Sequence, residues 1–133
     1  MAVHKRRFRT EFVEYVEEVS GEKVLGCYQC GRCSAGCPMV DEVDMLPHQI
    51  LRLLQLGRED EVLEKNTMWL CAACHTCASR CPRGVDLARI MEALRVAVLR
   101  TGSPKLHPKD LPKEVLEKAP QQAFVSGYRK LGT

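Results

Sequence analysis

Cys27-Tyr28-Gln29-Cys30-Gly31-Arg32-Cys33-Ser34-Ala35-Gly36-Cys37-Pro38 and Cys71-Ala72-Ala73-Cys74-His75-Thr76-Cys77-Ala78-Ser79-Arg80-Cys81-Pro82 are two copies of one ladder, C-x₂-C-x₂-C-x₃-C-P. Together they use all eight cysteines of the 133-residue chain. This is the spacing of cubane iron–sulfur ligation. Thiolates at i, i+3 and i+6 on a curled loop reach three corners of one small cube, and the fourth corner takes a ligand from elsewhere. By the precedent of two-cluster ferredoxins, the fourth cysteine of each run serves the other cluster. Cluster one is therefore expected on Cys27, Cys30, Cys33 and Cys81, and cluster two on Cys71, Cys74, Cys77 and Cys37. The proline after each ladder fixes φ and sets the angle at which the chain leaves the loop.

Other uses of these cysteines fit less of the pattern. Structural zinc is served by C-x₂-C pairs alone, which leaves the third cysteine and the Cys-Pro step of both ladders unexplained. A disulfide framework belongs to exported chains; Met1 to Arg9 is basic and opens with no apolar leader, so the chain is expected in the cytoplasm. Cys71-Ala72-Ala73-Cys74-His75 also matches the short haem-attachment pattern, but Cys77 and Cys81 continue the ladder, and Gly31 stands where the first ladder would need the histidine.

Work outward from the ladders and the pattern is helical. The 33 residues between Cys37 and Cys71 carry Leu46, Ile50, Leu53 and Leu54 at helical spacing. Pro47 suits the first turn and Gly57 the stop. A second short helix follows over 58–65, acidic at its start as the macrodipole favours. Asp86 is placed to cap a helix over 87–100, with Leu87, Ile90, Met91, Leu94 and Val98 as its apolar stripe and Gly102 beyond. A first helix is expected over 10–19, burying Phe12, Tyr15, Val16 and Val19. Val43-Asp44-Met45 after Cys37 echoes Val85-Asp86-Leu87 after Cys81, so the fold class is all-α, with two pseudo-symmetric loop–helix units. Hydrophobic residues make up 45% and aromatics 5% of the chain, which calls for an aliphatic core. The organisation expected is a basic N-terminal tail over 1–9, a di-cluster domain over 10–102 and a Pro/Lys-rich partner-docking tail over 103–133. One short helix is expected in that tail, over 112–118.

Residues between the ligands are candidates for tuning. Gly31 and Gly36 are expected to let the backbone approach the inorganic sulfides. Arg32 and Arg80 either offset cluster charge or face solvent. His75 is a candidate for coupling reduction to protonation, with a solvent-facing or packed histidine as the plainer alternative. Tyr28 and Trp69 flank the ladders and are expected to shield the clusters from water. The formal net charge of +3 is mild and does not indicate nucleic acid. No apolar run reaches the ~20 residues of a membrane span, so any membrane association runs through a partner.

The wording of the ladders, Cys-Tyr-Gln-Cys-Gly-Arg-Cys above all, together with Trp69-Leu70-Cys71 through Cys81-Pro82, resembles the C-type iron–sulfur subunit of heterodisulfide reductase over about residues 8 to 101. The resemblance implies an α-helical ferredoxin with two [4Fe–4S] clusters on the eight cysteines named. It implies a hetero-oligomeric oxidoreductase in which electrons pass from a flavin-containing A-type subunit to a catalytic B-type subunit. Similar modules occur in the iron–sulfur subunits of other flavin dehydrogenase complexes, so that role, or a free ferredoxin-like carrier, is the alternative. No catalytic residue is expected in this chain. It has no Cys-Cys pair for an unusual active-site cluster, no G-x-G-x-x-G after a strand for a dinucleotide, and no thiol left over as a nucleophile.

Overall fold

The computed structural model describes residues 10–132; the basic segment 1–9 lies outside the described residues. Among the described residues the secondary structure is nine α-helices and two 3₁₀ turns, with no strand. The chain divides into two compact units, one ending at Leu94 and one beginning at Arg95.

In the first unit, α1 (Glu11–Ser20) starts at Thr10, whose hydroxyl accepts the Val13 N–H at 3.3 Å, and ends at Gly21 in the left-handed region. Its buried face is Val13, Val16, Glu17 and Ser20, one register away from the face expected. Val19 is 40% exposed. The polar members turned the helix: Glu17 Oε1 accepts the Val24 N–H at 2.9 Å, and the Ser20 hydroxyl donates to the Val16 carbonyl at 2.6 Å. A buried carboxylate aimed at an orphan N–H outweighs the exposure of one valine.

The remaining helices follow the ladders. α2 (Arg32–Ala35) and α6 (Thr76–Arg80) grow out of the two cysteine loops and pack against each other. Between them run α3 (Pro47–Gln55), α4 (Glu59–Leu63) and α5 (Thr67–Leu70). α3 has Pro47 in its first turn, buries Ile50, Leu51 and Leu54, and is followed by Gly57 at φ 65. α7 (Leu87–Leu99) starts where Asp86 Oδ1 accepts the N–H groups of Ala88 at 3.0 Å and Arg89 at 3.4 Å. The core is aliphatic, built on Val13, Val16, Val24, Ile50, Leu54, Met68, Ile90, Met91 and Leu94, with Trp69 as its bulkiest member.

Long-range polar brackets set the ladders in place. Gln55 Nε2 donates to the carbonyls of Val24 at 3.0 Å and Cys27 at 2.7 Å, fixing the entrance to the first ladder. The second entrance is held by Asp44. Its carboxylate accepts the N–H groups of Asn66 at 2.8 Å and Thr67 at 3.1 Å, and the Thr67 hydroxyl at 2.7 Å. Here the sequence echo breaks. Asp86, five residues after Cys81, caps its own helix, whereas Asp44, seven residues after Cys37, caps α5 across the fold. α3 is capped instead by Gln49, whose Oε1 accepts the Leu46 N–H at 3.1 Å.

Partial burial works to raise the Asp44 carboxyl, but the donors of Asn66 and Thr67 together outweigh it and hold it below its ordinary value of 3.8. A depressed carboxyl contributes stability that is full above the unfolded-state value and lost as pH falls through the folded-state value. Asp44→Ala is therefore expected to lower the stability of the cluster-loaded protein by about 0.5–1 kcal/mol, the lower part of the range of a lost N-cap, since Asp44 is exposed. The difference in denaturant midpoint should be the same at pH 7 and pH 5.

In the second unit, α8 (Lys113–Lys118) matches the short helix expected. A further helix, α9 (Gln121–Leu131), follows Pro120 directly and has no counterpart among the helices expected. The Leu131 carbonyl accepts the N–H groups of Lys105 at 2.8 Å and Leu106 at 3.2 Å, closing the segment on itself.

Candidate iron–sulfur centres

Both ladders bend the same way. Gln29 and Gly31 lie in the left-handed region at φ 65 and 75, on either side of Cys30. Ala73 and His75 do the same at φ 51 and 57 on either side of Cys74. Each non-glycine residue there costs about 1–2 kcal/mol, and such strain is kept where a site requires it. Alternation of left- and right-handed residues turns backbone N–H groups toward one concave side, which suits an anionic centre. The loop then enters a short helix, and the third cysteine, Cys33 or Cys77, sits in its first turn.

The cysteines gather around two hollows. Cys27, Cys30, Cys33 and Cys81 line one, with Gly31, Leu51, Val85 and Leu87 completing the wall. Cys37, Cys71, Cys74 and Cys77 line the other, about 470 Å³ including its mouth, against Val43, Pro47, Leu87 and Met91. Cys33 and Leu87 belong to both walls, so the hollows adjoin. The donor set is chemically uniform: four thiols line the first hollow and five the second, where Cys33 also reaches, with Thr67 and His75 the polar members of an otherwise apolar lining.

Donors to sulfur are already present. The Gln29 N–H and Gln29 Nε2 each reach Cys27 Sγ at 3.4 Å, and the Val85 N–H reaches Cys81 Sγ at 3.3 Å. Thr76 Oγ1 lies 3.4 Å from Cys74 Sγ and can donate to it as a thiolate. The two ladders are alike in electrostatics too. The exposed second thiols are held below their ordinary value, Cys30 by the Arg32 N–H first, with the Tyr28 hydroxyl and the Arg32 charge helping it to overcome the opposing effect of desolvation. Cys74 is lowered by the Thr76 hydroxyl and N–H. The third thiols go the other way: burial raises Cys33 and pushes Cys77 up to about 11. Ligation as thiolates must therefore displace protons from the buried pair. At least four thiols at each hollow, sulfur-directed N–H groups and a mostly apolar wall fit [4Fe–4S] clusters.

Several tuning residues stand elsewhere than expected. Gly31 lines a hollow and needs its left-handed φ. At Gly36 the Arg80 guanidinium lies over the Cα, in the space a methyl would take, so a neighbouring side chain already requires glycine there. Gly36 and Arg80 are equivalent positions of the two ladders, three residues after Cys33 and Cys77. Where α2 and α6 meet there is room for one long side chain and not two. Arg32 acts on Cys30. Trp69 is buried as expected, but Tyr28 is 59% exposed and does not shield; it bonds Cys30, which raises its own hydroxyl pKa. His75 is half-exposed, and its Nδ1–H donates to Asp86 Oδ2 at 2.9 Å. A contact missing from the sequence reading is Ser34, buried next to Cys33. Its hydroxyl accepts the His48 N–H at 3.1 Å and bonds His48 Nδ1 at 2.7 Å, tying α2 to α3. Nothing in the local sequence signals a pairing of fourteen residues' separation.

Among the described residues no helix is long and apolar enough to cross a membrane. Residues 23–85 match the family model of the 4Fe–4S dicluster domain. The chain is 39% identical over 99 residues to the iron–sulfur C subunit of CoB–CoM heterodisulfide reductase from Methanopyrus kandleri, covering 71% of this chain and 52% of that one. It is 34% identical over 102 residues to the second iron–sulfur C subunit of the same enzyme in Methanocaldococcus jannaschii, covering 74% and 54%. The C subunit of ferredoxin:CoB–CoM heterodisulfide reductase from Methanosarcina mazei is 32% identical over 102 residues, covering 77% and 63%. The chain thus spans about half the length of the first two relatives. Two thiol-ringed hollows on an all-α frame, read with these likenesses, make this chain an α-helical ferredoxin with two [4Fe–4S] clusters, similar over its dicluster domain to the C subunits of heterodisulfide reductases.

Proposed function

We propose that the chain is the electron-relay subunit of a heterodisulfide reductase-like complex. In this reading single electrons pass between a flavin-containing, A-type partner and a catalytic, disulfide-reducing, B-type partner. The observation that carries it is the shared wall of the two hollows at Cys33 and Leu87: adjoining one-electron centres can pass an electron through the chain from one partner to another. Bound clusters supply reversible one-electron storage. The chain's own part is to hold the thiolates, donate N–H groups to sulfur and keep water from the buried side.

In the ligand assignment we favour, Cys27, Cys30, Cys33 and Cys81 hold the first cluster, and Cys71, Cys74, Cys77 and Cys37 the second. The lining of the hollows supports this crossing, since Cys81 stands in the wall with the first ladder and Cys37 in the wall with the second. The exposed side of the first site, where Tyr28 is 59% exposed and bonds Cys30, is where we place the approach of a partner's cofactor.

Iron and acid-labile sulfide should each reach about eight per chain. Electron paramagnetic resonance of single variants tests the crossing. Cys37→Ser should degrade the signal of the second cluster and spare the first, and Cys81→Ser should do the reverse. The opposite pattern would mean that each ladder keeps its own fourth cysteine. Tyr28→Phe removes a donor to Cys30, and donors to sulfur favour the more negative, reduced state. The first cluster's midpoint should become more negative in potentiometric titration while the second stays fixed; equal shifts in both would argue against the assignment.

A further inference from the structure

The unit beginning at Arg95 holds an apolar hollow of its own. Leu111, Val115, Ala123, Phe124, Gly127 and Tyr128 contribute to its lining, and it encloses about 370 Å³ including its mouth. From Arg100 to Gly132 no residue with a described side chain is buried, and Val115, Leu116 and Val125 remain 42%, 48% and 62% exposed. Two short helices with no buried residue between them do not supply the apolar burial that offsets the entropy of ordering them.

Gly127 adds an independent observation. It lies inside α9, where glycine is the poorest helix former after proline. Its φ is not in the left-handed region, and a Cβ placed on it would meet nothing within 4 Å. Neither the backbone nor any neighbour in the chain asks for glycine here. What the missing side chain leaves is open space at the floor of the hollow, which suits the close approach of an outside group. Ala123, one turn earlier on the same face, also lines the hollow with a small side chain.

Charge says what kind of group. From Arg95 onward there are eight Lys and Arg against three Asp and Glu, a net of +5, while residues 10–94 carry eight against fourteen, a net of −6. The hollow therefore sits in the basic part of the chain. A concave site with a floor of small residues receives a protruding side chain; binding at a lipid surface uses a convex apolar face. We propose that α8 and α9 dock an acidic helix of a partner subunit, with one bulky apolar side chain of that helix seated over Gly127. The proposal rests on the relay reading only in taking the partner to be a member of the same complex.

The test uses the full chain, tagged and purified with its complex from producing cells. Gly127→Leu fills the hollow from within. The amount of partner retained should fall about tenfold or more, as for the loss of an anchoring contact, with iron and sulfide per chain unchanged. Gly127→Ala should raise the helix content of the isolated chain and still reduce retention. A photo-crosslinking residue in place of Val125 should capture an acidic helical segment of the retained partner, with a yield that falls as salt rises. Retention of the partner by Gly127→Leu at the wild-type level overturns the docking. So does a crosslink only to a second copy of this chain, Gly127-dependent sedimentation with phosphatidylglycerol vesicles in place of the partner, or cluster loss in both variants. A wild-type chain that purifies alone, fully loaded, overturns both the docking and the relay. A crosslinked partner from a complex with neither flavin nor disulfide-reducing activity leaves the docking standing and removes the relay reading.

Discussion

Helices of four and five residues do not hold themselves together, because a first turn fixes several residues for one hydrogen bond. Yet the third cysteine of each ladder rides on such a helix, α2 or α6. The structure depends on how that weakness is offset. The two helices lean on each other, with Arg80 laid across Gly36. Ser34 ties α2 to the first turn of α3. The loops feeding them are bracketed by Gln55 on one side and Asp44 on the other. Thiolate–iron bonds would add to these contacts, tying each short helix to the cluster it helps to hold.

The sequence is informative wherever the chemistry is local. Ligand spacing, the proline exits, Pro47 and Gly57 around α3, and the Asp86 cap all act within a few residues, and each is legible there. Two of its silences share a cause, which is separation along the chain. Asp44 looks like a cap for the helix that follows it, but two additional residues after Cys37 carry it to Asn66 and Thr67, 22 and 23 positions away. Glu17 reads as a solvent-facing charge until Val24 offers it an N–H seven residues on, and that one bond re-registers α1. α9 is hidden for a local reason: Gln121, Gln122, Ser126 and Gly127 weaken its pattern, and Pro120 sits immediately before its first turn.

The pseudo-symmetry holds in backbone and electrostatics and breaks in side chains. Equivalent residues share left-handed φ values, equivalent second thiols are lowered, and equivalent third thiols are raised. Backbone shape and burial are the properties a cluster demands of both halves alike. The side chains around each are under no such demand. The first site carries Tyr28 and Arg32 at its rim, while the second has His75 paired with Asp86. Two centres with the same ligands in different surroundings will differ in potential, and a relay needs that difference to have a preferred sense.

Three glycines show how differently one residue type can be used. Gly31 is required by backbone conformation, at φ 75 on the loop. Gly36 is required by a neighbour, because Arg80 occupies the volume its side chain would need. Gly127 is required by neither, and helix propensity counts against it. Where the first two reasons are absent, the remaining physical use of a glycine inside a helix is to let something outside the chain come close. The open floor of an apolar hollow in the basic part of the chain is where that use makes sense.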